Sequence, residues 1–230
     1  MTKPIIISLG GSIIVPDKID TRFLISFKDL VLKEIKSGKR FIIICGGGNI
    51  AREYQKSAFK INRITEEDQD WLGIHATRLN AHLLRTIFRE WACPVILDRP
   101  QKPILKVGEK PILIAAGWRP GFSTDYVSVL LAKRFKTDKI INASNISFVY
   151  NKDFRKYKDA KPIKKITWQN YQKLIPKKWD PGLRVPFDPI ATKEAKKLKI
   201  EVFVLDGRDL KNLKLAINGQ EFKGTIIRNE

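Results

Sequence analysis

Phe41-Ile42-Ile43-Ile44-Cys45-Gly46-Gly47-Gly48-Asn49 is the stretch on which the reading of this chain turns. Five apolar, mostly β-branched residues make too short a run for an ordinary helix and suit a strand buried on both faces. The glycines let the chain turn sharply, and beyond Asn49 apolar residues recur at three- and four-residue spacing, the mark of a helix. The same order opens the chain, where Ile5-Ile6-Ile7-Ser8-Leu9 runs into Gly10-Gly11-Ser12. Working outward, strands are predicted at 5–9, 41–45, 94–97, 112–115, 139–142, 201–205 and 224–228. Helices are predicted at 21–36, 49–59, 70–91, 124–135, 188–197 and 209–217. Strand and helix alternating in this way predict an α/β protein with a mostly parallel sheet. The segment 151–184 is poorest in periodic pattern and rich in Lys, Pro and Trp. It is expected to leave the core as a mobile flap carrying a short helix near 167–174.

At 230 residues and 43% hydrophobic, the chain can bury a substantial core and is expected to form a single domain, 1–230. No apolar run approaches the roughly 20 residues of a membrane-spanning helix. Lys3 and the apolar 5–15 resemble a secretory signal only superficially, because Gly10 and Gly11 interrupt them and no small-residue cleavage site follows. Cys45 and Cys93 have no neighbouring metal-ligand or redox partner, which suits a reducing, cytoplasmic setting. The formal charge of +20 is compatible with nucleic acid or with small polyphosphates. Its lysines are spread over the whole chain instead of forming one aromatic-studded stripe, so a solvated basic surface is favoured over a nucleic-acid site.

Each glycine cluster suits two roles, a tight turn between strand and helix or a cradle of backbone amides for a phosphate at a helix N-terminus. Neither cluster has Walker A or GxGxxG spacing. Arg52, one turn into the helix, suits either the surface or a forked contact to phosphate. Asp70, Gly73, Thr77 and Asn80 fall on one helical side, where Asp70 could accept ribose hydroxyls or serve as a helix N-cap or first-turn residue. Gly117-Trp118-Arg119-Pro120-Gly121-Phe122-Ser123-Thr124-Asp125 is a loop after an apolar strand whose last residues suit both helix capping and ligand binding. Asn145, Tyr150 and Asp153 lie beyond another strand, and Asp188 opens a helix ahead of Pro189. His75 and His82 have no further ligand at metal-site spacing, and no HExxH, CxxC or GxSxG pattern occurs. This inventory lacks an activated nucleophile, but it suits phosphoryl transfer to an already anionic acceptor, where catalysis is positioning and charge screening.

Taken in order, these segments resemble the uridylate kinases of the amino-acid-kinase family, and the archaeal type more than the bacterial. The matching pieces are 9–12 through Pro16, 46–49 with Arg52, 70–80, 117–125, 142–153, and Asp188-Pro189 with Ala191 and Lys193. The resemblance implies a three-layer α/β/α sandwich, with an acceptor side within about 1–140 and an ATP side within about 141–230. It implies that Gly46, Gly47, Arg52, Asp70, Gly117, Ser123 and Thr124 bind UMP. By the same resemblance Gly10, Gly11, Ser12, Gly48, Asn145, Tyr150 and Asp153 bind ATP, and Asp125, Asp188 and Lys193 are catalytic. ATP and Mg2+ are the implied cofactors, Asp125 and Asp188 organise the magnesium, and a hexamer built from dimers, in some members responsive to GTP, is the implied assembly.

The chain also departs from the family pattern. Ser8 stands where the bacterial type has a phosphate-binding lysine, so Lys193 and Arg184 are the first candidates to supply the missing charge. Ser147-Phe148 replaces a usual aspartate-glycine and Phe154 a usual proline, on the ATP side. Trp118-Arg119 is bulky for the acceptor loop. Isopentenyl phosphate kinases carry a histidine just after the glycine cluster, and 49–54 has none. The competing expectations are a family kinase with another small acceptor, such as an isoprenoid phosphate, carbamate or amino acid, and a basic nucleic-acid-binding protein on the same fold.

Overall fold

The two apolar runs that precede the glycine clusters lie side by side and parallel, Ile5 opposite Phe41 and Leu9 opposite Cys45. In the computed structural model, which describes residues 3–104, 110–178, Asp180, Leu183 and 185–230, they are β1 (Ile5–Leu9) and β2 (Phe41–Cys45). In chain order they stand among α1 (Gly11–Ile14), α2 (Thr21–Lys36), α3 (Gly48–Ile61), α4 (Glu66–Ile87), β3 (Ile112–Ala115), α5 (Thr124–Phe135) and β4 (Lys139–Ser144). There follow β5 (Val149–Tyr150), β6 (Pro162–Ile163), β7 (Lys165–Thr167), α6 (Trp168–Leu174), α7 (Pro189–Lys197), β8 (Glu201–Asp206), α8 (Leu210–Ile217) and β9 (Thr225–Arg228). The main sheet runs β3-β2-β1-β4-β8-β9-β7, and only the β8–β9 pairing is antiparallel.

Strand side chains alternate between two apolar layers, as a period of two requires. Ile7, Leu9, Phe41, Ile43 and Cys45 pack with Phe27 and Val31 of α2, Leu84 of α4 and Leu213 of α8. Ile6, Ile42 and Ile44 point the other way, toward Val127 and Leu131 of α5 and Ala191 and Ala195 of α7. Helices therefore cover both faces of a mostly parallel sheet, the three-layer α/β/α sandwich expected from the sequence. Because the central strands are parallel, the loops that leave their carboxyl ends gather along one edge, where such sheets hold their ligands.

Three expectations need correction. The predicted strand 94–97 is reduced to isolated bridges, Ala92 with Ile112 and Leu97 with Ala115, since Pro94 has no N–H for a ladder. The helix predicted to begin at residue 70 begins at Glu66, behind a capping box in which the Thr65 hydroxyl and the Asp68 carboxylate hold each other's backbone N–H. Asp70 is thus a residue of the second turn and caps nothing. Within 151–184, the stretch 165–174 is no flap: Trp168 and Tyr171 of α6 are among the most deeply buried side chains, and β7 pairs with β9 at the sheet edge. Their three-residue spacing on one helical face was the available signal. The first half of 151–184 forms the small β5–β6 hairpin. Trp179 and Arg184 lie outside the described residues.

Candidate active site

The two glycine clusters meet each other at the carboxyl edge of β1 and β2. A Cβ added at Gly11 would lie 2.0 Å from the Gly48 nitrogen and 2.5 Å from the Gly46 carbonyl carbon. One at Gly46 would lie 2.5 Å from the Gly11 nitrogen, and Gly48 has φ +67°. The requirement for glycine here comes from backbone packed on backbone. The junction is held by Asn80 of α4, whose buried amide donates to the carbonyls of Gly46 (2.8 Å) and Gly47 (3.3 Å).

The loop after β3 is tied to the same helix. Gly117 N–H donates to Thr77 Oγ1 at 2.8 Å, and Gly121 N–H donates to Asp70 Oδ2 at 2.7 Å. Arg78 donates to the Trp118 carbonyl at 3.0 Å. The bulky Trp118-Arg119 pair turns along the loop, with the Arg119 guanidinium 4.3 Å from the Trp118 ring centroid and 4.9 Å from that of Phe122. Burial raises the Asp70 carboxyl above its ordinary pKa, against the lowering effect of the Gly121 N–H and with a further rise from Glu66.

Two carboxylates meet where the N-termini of α5 and α7 converge. Ser123 caps α5 by accepting from Tyr126 N–H at 3.1 Å, and its hydroxyl donates to Asp188 Oδ2. Asp188 is 3% exposed and caps α7, its Oδ1 accepting from Ile190 N–H (2.7 Å) and Ala191 N–H (2.9 Å). Its own N–H donates to Asp125 Oδ2 at 3.2 Å. Burial lifts Asp125 well above the usual carboxylate range and the neighbouring Asp188 charge adds to this, while the Asp188 N–H and the Ser8 hydroxyl oppose it. Ser8, at the position of the bacterial lysine, therefore supplies a hydrogen bond to the carboxylate. Asp188 is raised by burial, with Ser123 and the α7 amides opposing.

Behind this pair, the buried Tyr171 hydroxyl donates to the Phe187 carbonyl (2.8 Å) and accepts from the Phe187 N–H (2.7 Å), and Asn142 donates to the Pro186 carbonyl at 2.6 Å. The approach to Asp188 is thus fixed from α6 and β4. Tyr171→Phe leaves two buried backbone groups without their partner, and we expect it to cost about 1–3 kcal/mol in urea unfolding. Turnover should fall with it and acceptor KM change less; unchanged stability would mean that the backbone finds other partners.

Two cavities lie side by side here, and the carboxylates line the smaller. One, of about 300 Å³, is lined by Gly47, Gly48, Arg52, Asp70, Gly73, Thr77, Gly117, Ser123, Thr124, Asp125 and Asp188. The other, of about 400 Å³, is lined by Ser12, Asn145, Tyr150 and Asp153 together with Phe148, Phe154 and Arg155. Arg52 and Val185 line both. The sequence-predicted residues are brought together with five exceptions. Gly48, expected on the ATP side, lines the smaller cavity; Gly46, Gly10 and Gly11 line neither, Gly10 approaching the Ala143 carbonyl. Lys193 also lines neither cavity and is exposed on α7. Arg184, the other candidate for the missing charge, lies outside the described residues. Phe122, within the 117–125 loop, lines the smaller cavity; sequence reasoning missed Gln55, which lines it too, and the tie made by Tyr171. Phe148 and Phe154, noted only as departures, stand with Tyr150 in an aromatic group at the larger cavity, ring centroids 6.5 and 4.7 Å from the tyrosine. His75 and His82 are exposed on α4.

Among the described residues, no group of three or more His, Cys, Asp or Glu side chains could hold a metal ion. Between the N-termini of α5 and α7 the site offers the carboxylates of Asp125 and Asp188. That donor set fits magnesium, which takes one or two carboxylates and completes its shell with phosphate oxygens and water. Two like charges held together and both raised in pKa are also what a divalent cation would relieve.

Residues 3–206 match the model of the Amino acid kinase family. The chain is 35% identical to the uridylate kinase of Thermoplasma volcanium over the whole of both chains. It is 32% identical to that of Methanobrevibacter smithii, over 97% of this chain and 98% of the other. The crystal structure of uridylate kinase from Archaeoglobus fulgidus superposes with a TM-score of 0.83 at 28% identity, covering 97% of this chain and 99% of that one. The UMP kinase structure from Bacillus anthracis, at 22% identity and TM-score 0.79, shares the fold.

Proposed function

This chain belongs to the amino acid kinase family, and we propose that it moves the terminal phosphoryl group of ATP onto UMP, giving ADP and UDP in pyrimidine nucleotide synthesis. The observation that carries this reading is the pair of cavities that share Arg52 and Val185, the smaller of them lined by the carboxylate pair. A phosphoryl transfer needs two nucleotides with their phosphates meeting end to end, and little covalent help from the protein. The smaller cavity is lined by a glycine turn, an arginine and hydroxyls, together with Asp70 and Phe122, which suits a nucleoside monophosphate. The larger has Asn145, Asp153 and the aromatic group, which suit the base and ribose of ATP.

In this mechanism an oxygen of the UMP phosphate, already anionic, attacks the γ-phosphorus as the bond to the β-phosphate oxygen breaks. Arg52, at the junction of the cavities, forks onto phosphate oxygens and lowers the repulsion between the two anions. Thr77 and Asp70 hold the 117–124 loop against the acceptor, while Ser123 fixes Asp188. Magnesium, held by Asp125 and Asp188 with the ATP phosphates, would screen their charge. Ser12 and Gly48 line the larger and the smaller cavity, and Gly10, Gly11 and Gly46 act by keeping the two loops in contact. The domain divides functionally into an acceptor side within about 1–140 and a donor side within about 141–230. Cytoplasmic location is supported by two buried free cysteines, and among the described residues no helix is long and apolar enough to cross a membrane. Self-association is supported by the outward faces of α3 and α4, where Tyr54, Phe59, Ile61 and Trp71 are exposed, and the hexamer is the assembly that the family resemblance implies.

The test is ADP formation from ATP and magnesium with UMP, CMP, AMP, isopentenyl phosphate or no acceptor. Turnover should be dominated by UMP; another dominant acceptor would keep the chemistry and remove the substrate. Arg52→Ala is expected to raise KM for UMP and lower kcat, together at least about a hundredfold in kcat/KM, from the loss of a charge-assisted phosphate contact at a reacting centre. An effect on KM alone would restrict Arg52 to ground-state binding.

A further inference from the structure

The opposite edge of the sheet holds a cavity of about 330 Å³ that the reaction does not use. It is lined by residues that precede three parallel strands, Lys3 and Pro4 before β1, Arg40 before β2, and Lys110 and Pro111 before β3, and by Phe135 and Lys136 at the end of α5. Strands of about five residues at about 3.3 Å each put it roughly 17 Å from the catalytic edge. Its walls are mostly apolar, with Phe41, Leu113 and Phe135 among them, and its polar rim is made of Lys3, Arg40, Lys110 and Lys136. Among the described lining residues there is no carboxylate.

The rim is partly fixed in place. The Arg40 guanidinium donates to the Lys110 carbonyl at 3.2 Å, and Lys110 Nζ donates to the Glu90 carbonyl at 2.5 Å. Lys136 sits at the C-cap of α5 in the left-handed region, φ 54°, an orientation set by the end of the helix. A concave, low-dielectric wall with cations of one sign around it concentrates field and attracts an anion more strongly than the same lysines spread over a convex surface. The volume and the apolar lining fall at the small end of those of ordinary small-molecule sites. Solvation of the basic surface explains exposed lysines, but it does not explain why they surround an apolar hollow.

We propose that this cleft at the amino edge of the sheet is a second binding site, for a small organic anion that joins an apolar ring or chain to a phosphate or carboxylate group. The apolar part seats against Phe135, Leu113 and Pro111, and the anionic group faces Lys3, Lys110 and Lys136 with Arg40. The site is separate from the nucleotide cavities, so both can be filled at once.

The test is calorimetric titration of the full chain with 1-naphthyl phosphate, in the presence of saturating UMP and a non-hydrolysable ATP analogue. One equivalent is expected to bind under these conditions, and inorganic phosphate should bind at least about tenfold more weakly because it lacks the buried apolar area. Lys3→Glu combined with Lys136→Gly, the latter compatible with the positive φ, should weaken naphthyl phosphate at least about tenfold and leave kcat for UMP unchanged. No binding once the nucleotide cavities are filled, or equal binding by the double variant, would overturn the proposal. Inorganic phosphate binding as tightly as the naphthyl ester would overturn its amphipathic ligand.

Discussion

Asp125→Asn should remove nearly all phosphoryl transfer while making the protein more stable at neutral pH. In the folded chain the Asp125 carboxyl is pushed up to about 8, first by burial and then by the nearby Asp188, from an ordinary value of 3.8. Between about pH 4 and pH 8 the folded chain therefore keeps a proton that the unfolded chain has lost. Stability follows the difference in bound protons, so it is fully present below the lower value. It falls as pH rises through the window, by up to about 1.4 kcal/mol per pH unit for the one proton. Asparagine has nearly the same shape and no charge to bury, and its carbonyl can still accept from the Asp188 N–H. The variant should lose that slope and melt higher than the parent at pH 8, with little difference at pH 4. Turnover should drop by about a hundred- to a thousandfold, the usual loss when a preorganised charge at the reacting phosphates is deleted. Melting curves at several pH values and single-turnover ADP formation test both halves. A parent slope that survives in the variant would assign the retained proton to Asp188.

Gly11→Ala is expected to be nearly as damaging, from the steric side. Its Cβ would sit 2.0 to 2.6 Å from the backbone of Gly48 and Gly46, atoms that cannot swing aside as a flexible side chain can. The two loops must separate, which also strains the hold of Asn80 on the Gly46 and Gly47 carbonyls. A loss of about 2–4 kcal/mol in urea unfolding is expected, together with at least a hundredfold loss of kcat/KM, because both nucleotide cavities have walls on these loops. Gly38→Asn is the matching control. Gly38 has φ +87° and nothing within 4 Å of an added Cβ, so asparagine, which tolerates the left-handed region, should cost less than about 1 kcal/mol and leave turnover intact. Comparable damage at both positions would mean that glycine's backbone freedom, and not the contact between the loops, governs Gly11.

The strands were legible because 41–45 and 112–115 are unbroken apolar runs and 5–9 is interrupted only by Ser8, a pattern that suits a parallel sheet covered on both faces. The helix at 188–197 was legible from Asp188-Pro189, an N-cap followed by a residue suited to the first turn. The 94–97 strand and the flap were misread because whether a short apolar run pairs, or a Lys-rich segment is buried, depends on neighbours remote in sequence. Trp168 finds its partner in the Ile200 carbonyl and Tyr171 in Phe187, neither of which a local window contains.

By itself, then, the sequence determined the alternating α/β architecture, because periodicity and glycine placement are local properties of the backbone, and its resemblance to a known family named many of the residues that line the two cavities. Only the tertiary structure decided what those residues do to one another. It set Gly11 against Gly46 and Gly48, placed Ser8 on Asp125, left Lys193 outside both cavities, and buried two aspartates side by side. Such pairings are fixed by distances across the fold, and burial and charge act through those distances whatever the separation along the chain.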